Sequence, residues 1–169
     1  EVSFTADEET GGALGAGWIA RKGLVRADYA IECEGASGSR VGVGHNGVLW
    51  LEVDVEGKAA HASSPDRGVN AFEKMALMVH QLQSMKRRLS AASRRWRGPD
   101  DRSRQPTINV GGCFGGGEGQ KVNTVPARAQ FTIDRRLVPG ESLADAEAEL
   151  VTGLAEAARR SEARHRVRS

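Results

Sequence analysis

The chain has 169 residues, enough for one domain or parts of two, and its formal net charge of +2 lacks the strong basic excess of a dedicated nucleic-acid binder. With 39% hydrophobic and 27% charged residues, the composition is that of a folded protein rather than a disordered one, and no apolar run approaches the length of a membrane span. The cysteines Cys33 and Cys113 have no metal-ligand spacing and are too few for a disulfide framework, which implies reduced thiols in a cytoplasmic protein. The chain opens on Glu1 and Val2 inside an apolar pattern, so it reads as a portion of a longer protein.

Residues 1–6 are expected to form a strand that runs into Asp7, Glu8 and Glu9 and then Gly11-Gly12. In an α/β unit, ligands and chemistry gather at the carboxyl ends of strands, so these acids are candidate oxygen ligands and a candidate general base. Strand alternation would turn one carboxylate toward a metal and leave its neighbour to move protons. A short helix is expected over residues 12–21, closed by Lys22-Gly23, and a second strand over residues 27–34 ends on Glu32, Cys33 and Glu34. Strand, helix and strand imply a parallel pair delivering acids to one edge. Glu32 and Glu34 face the same side, so periodicity does not choose between them.

The Gly- and Ser-rich residues 37–47 mark a boundary between a unit at 1–44 and a second at 45–169. Beyond it, Leu49, Leu51, Val53 and Val55 alternate with polar residues, as in a one-sided antiparallel sheet. A loop carrying His61 among small residues leads to a helix over about residues 70–89, striped with Ala71, Met75, Met78, Val79 and Leu82. The arginine-rich residues 86–104 read as a solvated connector, residues 106–113 as a short strand, and Gly115 to Gly119 as a turn. A long strand is expected over residues 122–137 with Ala129, Phe131 and Ile133 inward. A helix over residues 143–160 follows, N-capped by Ser142 and striped with Leu143, Ala146, Leu150 and Leu154, and residues 165–169 open a last strand. This β-α-β-β-α-β order describes a ferredoxin-like two-layer sandwich, within an α/β fold class overall.

Four motifs, in this order, carry a resemblance. They are Thr5-Ala6-Asp7-Glu8-Glu9; Ala27-Asp28-Tyr29-Ala30-Ile31-Glu32-Cys33-Glu34; Gly57-Lys58-Ala59-Ala60-His61-Ala62-Ser63-Ser64-Pro65 with Gly68 and Asn70-Ala71; and Asn123-Thr124-Val125-Pro126 followed by Asp134-Arg135-Arg136. Together they resemble the zinc-dependent amidohydrolase and exopeptidase family of acetylornithine deacetylase, succinyl-diaminopimelate desuccinylase, aminoacylase and the glutamate-releasing carboxypeptidase. The likeness implies the end of a catalytic domain followed by a lid and dimerisation domain. It implies two zinc ions per site, with cobalt or manganese as substitutes, a homodimer, and an N-acyl amino acid or peptide substrate. By matching positions, Glu8 is the general base, Glu9 and Glu34 are metal ligands, and His61 stabilises the oxyanion across the dimer. Asn123 and Arg136 hold the substrate. Gly35 stands where the family has Pro, which keeps Glu32 as a rival ligand, and Arg135 rivals Arg136. The family's first metal-binding His, bridging Asp and last His have no match here, so the chain alone is expected to bind metal weakly and hydrolyse nothing.

Two other classes compete: a non-catalytic dimerisation module, and a polyanion or RNA binder using the Arg-rich connector and Arg159, Arg160, Arg164, Arg166 and Arg168. The second lacks the aromatic pairs that an RNA-binding sheet stacks on, with aromatics only 5% of residues. Neither nucleic acid nor membrane is therefore an expected partner.

Overall fold

A computed structural model describes residues 2–31, 45–91, 96–98, 103–115 and 121–169, with backbone only at 112–115. Contacts divide the chain into two units, Glu1–Val43 and Gly44–Ser169.

In the first unit, a 3-10 turn at Glu8–Thr10 precedes helix α1 at Ala16–Lys22. Gly11 and Gly23 close these turns in the left-handed region, at φ 95° and 62°, where a side chain would be strained. The helix is present but begins at Ala16, four residues later than expected, and the two strands are absent from the described residues. Residues 2–6 and 27–31 have no regular secondary structure, and the rest of the second expected strand, Glu32, Cys33 and Glu34, lies outside the described residues. A strand persists only where its N–H and C=O groups are paired and one face is covered. Here Phe4 is 95% and Tyr29 92% exposed, and no ladder forms in this unit among the described residues.

The second unit contains β1 at Gly47–Glu56, β2 at Ala60–His61, α2 at Ala71–Ala91, β3 at Trp96–Arg97 and β4 at Ser103–Arg104. After these come β5 at Thr107–Gly115, β6 at Thr124–Val125, β7 at Arg128–Leu137, α3 at Leu143–Arg160 and β8 at Arg164–Arg168. The main sheet has the order β5-β7-β1-β8 with every neighbouring pair antiparallel. With the two helices on one face, this is the ferredoxin-like sandwich that the sequence implies.

Alternation builds the core. Leu49, Leu51, Val53 and Val55 of β1 and Ala129, Phe131 and Ile133 of β7 are buried against Met75, Met78, Leu82, Leu150 and Leu154 of the helices. Apart from Ala129, each such side chain contributes roughly 1.5–3 kcal/mol relative to exposure. The expected helix over about residues 70–89 is α2, whose buried stripe extends through Met85 and Leu89, while Leu143 sits exposed on the first turn of α3. Ser142 caps α3, its Oγ accepting the Asp145 N–H at 3.4 Å. The first six residues of the expected connector over residues 86–104 thus belong to the helix, and its remainder includes a ribbon in which Arg104 stacks 5.5 Å from the Trp96 ring centroid.

The long strand expected over residues 122–137 is two strands. Pro126 cannot donate to a ladder, and its carbonyl instead accepts the Ala71 N–H at 2.9 Å. Arg135 occupies an inward position of β7 and is fully buried. Its guanidinium donates to Glu141 Oε1 at 2.8 Å and to the Arg136 carbonyl, and Glu141 Oε2 accepts the Val138 N–H at 2.9 Å. Removing one member of such a pair strands a charge in the core. Glu141→Ala should therefore lower stability by roughly 3–5 kcal/mol, read as a fall in the chemical denaturation midpoint.

Candidate functional site

In the first unit the three adjacent acids separate by role. Asp7 Oδ2 accepts the Leu14 and Gly15 N–H groups at 2.7 and 2.9 Å, so this carboxylate organises the approach to α1. A Cβ at Gly15 would overlap Asp7 Oδ1, which explains glycine there. Glu8 and Glu9 are exposed and lie in the 3-10 turn, not at a strand end. Successive side chains there diverge by about 120° instead of the 180° of a strand, so the two carboxylates still point apart. No group of three or more His, Cys, Asp or Glu side chains gathers among the described residues. Glu34 and its rival Glu32 lie outside the described residues.

In the second unit, the β1–β7 ladder runs on past the main sheet into a two-stranded arm. Glu56 pairs with Arg128, the Gly57 N–H donates to the Ala127 carbonyl at 2.8 Å, and then Ala60 pairs with Val125 and His61 with Thr124. The Ala62 N–H donates to the Asn123 carbonyl at 2.9 Å. His61 and Asn123, 62 residues apart in sequence, thus sit at one tip.

The surrounding motif is the scaffold of that tip. Lys58 and Val69 exchange backbone hydrogen bonds at 2.8 and 2.9 Å, folding the loop back on itself. A Cβ at Gly57 would overlap the Val69 carbonyl oxygen, and one at Gly68 would lie 2.8 Å from the Lys58 oxygen, so both crossings require glycine. Asn70 Oδ1 accepts the Phe72 and Glu73 N–H groups at 3.0 and 3.2 Å and starts α2, while its Nδ2 donates to Glu73 Oε1.

His61 is exposed. Its Nδ1 accepts the Ser63 N–H at 3.2 Å and lies 2.7 Å from Ser63 Oγ. A backbone N–H can only donate, so Nδ1 is an acceptor and the neutral ring carries its proton on Nε2, open to an incoming oxygen. Sequence reading missed Ser63 in this role, although its spacing of two from His61 was available.

Arg136 lies elsewhere. It is the ninth residue of β7 and pairs with Val48 at the other end of β1. The eight steps from Arg128 to Arg136 span roughly 26 Å of strand, and the His61 arm begins beyond Arg128. The fold joins His61 to Asn123 and holds both far from Arg136. On the open sheet face, Arg136 donates to Asp134 from Nε at 2.7 Å and Nη2 at 2.6 Å, and Trp50 Nε1 donates to the same carboxylate at 3.1 Å. Asp134 and Trp50 were also missed, although an i, i+2 spacing puts Asp134 on the face of Arg136. Along β8, Arg166 pairs with Glu56 at 3.0 Å, and Arg168 with Glu52 at 3.0 Å and Asp54 at 2.7 Å, so acids of β1 offset these cations. Among the described residues, no helix is long and apolar enough to cross a membrane.

The second unit is a two-layer antiparallel sandwich with a histidine-tipped arm, and comparison with known proteins is specific. Residues 43–162 match the peptidase dimerisation domain, and the chain belongs to that family, within the amidohydrolase and exopeptidase group its motifs resemble. It is 33% identical over 144 residues to acetylornithine deacetylase of Proteus mirabilis (strain HI4320), covering 85% of this chain and 35% of the relative. The acetylornithine deacetylase of Erwinia tasmaniensis is 33% identical over 154 residues, covering 91% of this chain and 38% of the relative. The chain therefore spans little more than a third of the curated relatives it matches. The aminopeptidase PepT from Bacillus cereus shares the fold with TM-score 0.53 and 24% identity, over 97% of this chain and 39% of that one. A hydantoinase/carbamoylase family amidase from Burkholderia ambifaria aligns with TM-score 0.54 and 23% identity, over 73% of this chain and 27% of that one.

The glycine crossings give a direct check. Gly57→Ala should displace the arm and cost at least about 1–3 kcal/mol, seen as a lower denaturation midpoint. His61 resonances should shift in the same variant, because the arm is tied to the loop through Lys58 and Val69.

Proposed function

We propose that this chain is part of a homodimeric, metal-dependent hydrolase that cleaves an amide bond in an N-acyl amino acid or small peptide. The observation that carries the proposal is the placement of the anchors: His61 and Asn123 share one tip, and Arg136 lies roughly 26 Å or more away along the same sheet. A substrate of two residues spans only about 7 Å, so one copy cannot present all three groups to it. A twofold partner can, with the histidine tip of one subunit facing the site of the other. The acetylornithine deacetylase relatives support the amide chemistry.

In this reading Glu8 takes a proton from the attacking water and returns it to the leaving amine. His61 donates from Nε2 to the oxygen that gains charge, Asn123 supports it, and Arg136 holds the substrate carboxylate through its planar fork. Glu9 and Glu34 contribute carboxylate ligands for a zinc pair, with cobalt or manganese as substitutes. Zinc takes three or four protein ligands, so Glu9 and Glu34 need further ligands from the full-length parent, and the 169-residue chain by itself is expected to hydrolyse nothing. When bound, the metal would polarise the carbonyl and lower the pKa of water.

Subunit mixing tests the arrangement in the full-length parent. Glu8→Gln and His61→Ala should each cut turnover at least about 100-fold, with metal content unchanged. In a mixed dimer, the His61→Ala subunit keeps its own Glu8 and receives an intact His61 from its neighbour. Random mixing should then restore about a quarter of wild-type activity, whereas a histidine acting within its own subunit would restore none.

A further inference from the structure

We infer that Asp134 is a positioning residue, which with Trp50 fixes the Arg136 guanidinium so that its end-on N–H pair is presented to a substrate carboxylate. This rests on the proposed role of Arg136 as the carboxylate anchor. Asp134 and Arg136 are two apart on β7 and share the open face, and Trp50 lies directly opposite Asp134 in the ladder. Arg136 binds the carboxylate side-on through Nε and Nη2, at 2.7 and 2.6 Å. A guanidinium has five N–H donors, and side-on pairing leaves the fork formed by Nη1 and the second Nη2 hydrogen. Among the described residues no other group bonds that fork, and the Arg136 side chain is 44% exposed.

The third bond explains why the carboxylate does not swing after its arginine. The Trp50 indole donates to Oδ2 at 3.1 Å and ties it to the neighbouring strand. An arginine on an open sheet face otherwise samples many rotamers, and fixing it costs entropy each time substrate binds. Asp134 bears that cost in the free protein. The charge it offsets is recovered as orientation, since a bidentate anchor discriminates by direction as well as by sign.

The test uses the full-length parent, loaded with zinc, and whichever of a panel of N-acetyl amino acids it turns over best. Asp134→Asn should raise KM roughly tenfold with kcat within about twofold, since an anchor used equally in ground and transition states affects binding alone. On an Arg136→Ala background the same change should do nothing further. In the 169-residue chain, Asp134→Asn should also shift the Trp50 Nε1–H and Arg136 Nε–H resonances together. If Arg136→Ala raises KM but Asp134→Asn does not, or if the two effects add, the positioning role is overturned and the anchor role stands. If Arg136→Ala leaves KM unchanged, the anchor role fails and the positioning role falls with it. Should Asp134→Asn fail to fold, Trp50→Phe removes only the indole donor and carries the same test, with an expected rise in KM of about threefold.

Discussion

The antiparallel ladder between β1 and β7 is the constraint on which the second unit depends. Ten residue pairs, from Gly47 with Leu137 to Glu56 with Arg128, fix the register of the central strands. That register sets which residues meet α2 and α3 and which stand on the open face. Because the ladder continues through Gly57 and Ala127 to the His61 arm, it also sets the distance between the two candidate anchor points. A rigid strand pair is well suited to that task, since a separation along hydrogen-bonded strands does not vary as a loop would.

Much of this unit was legible in the sequence, because period-two and period-3.6 patterns report burial directly. Leu49 to Val55, the α2 stripe and the Ser142 cap were read correctly from such patterns. What escaped was set by long-range pairing. Pro126 splits a stretch whose apolar alternation looks continuous, and its effect depends on where the Ala71 N–H falls. Leu143 fits the helical stripe but is the first residue of α3 and stays exposed. The reach of α2 to about residue 89 was legible, but the continuation of its stripe through Met85 and Leu89 into the core was not, because the surrounding arginines mask it.

The first unit shows the opposite balance. Its motif is readable and its structure is sparse. Val2 to Ala6 has strand-forming residues, yet a strand needs a partner, and the described residues provide none. The acid cluster looked like one site, whereas Asp7 is consumed by local hydrogen bonds and only Glu8 and Glu9 stay exposed. That division could not be inferred from composition, because it depends on how the backbone from Gly11 to Gly15 turns back over Asp7.

The neighbours Arg135 and Arg136 carry one further implication. They point to opposite faces, one matched by Glu141 beneath the sheet and the other by Asp134 above it. Sliding β7 by a single residue would exchange their surroundings, pushing a cation without its acid under the helices and turning Phe131 out to water. The inward row of β7, Phe131 above all, therefore acts as a check on strand alignment. Such a safeguard lies in the competing conformations and not in any contact of the native one.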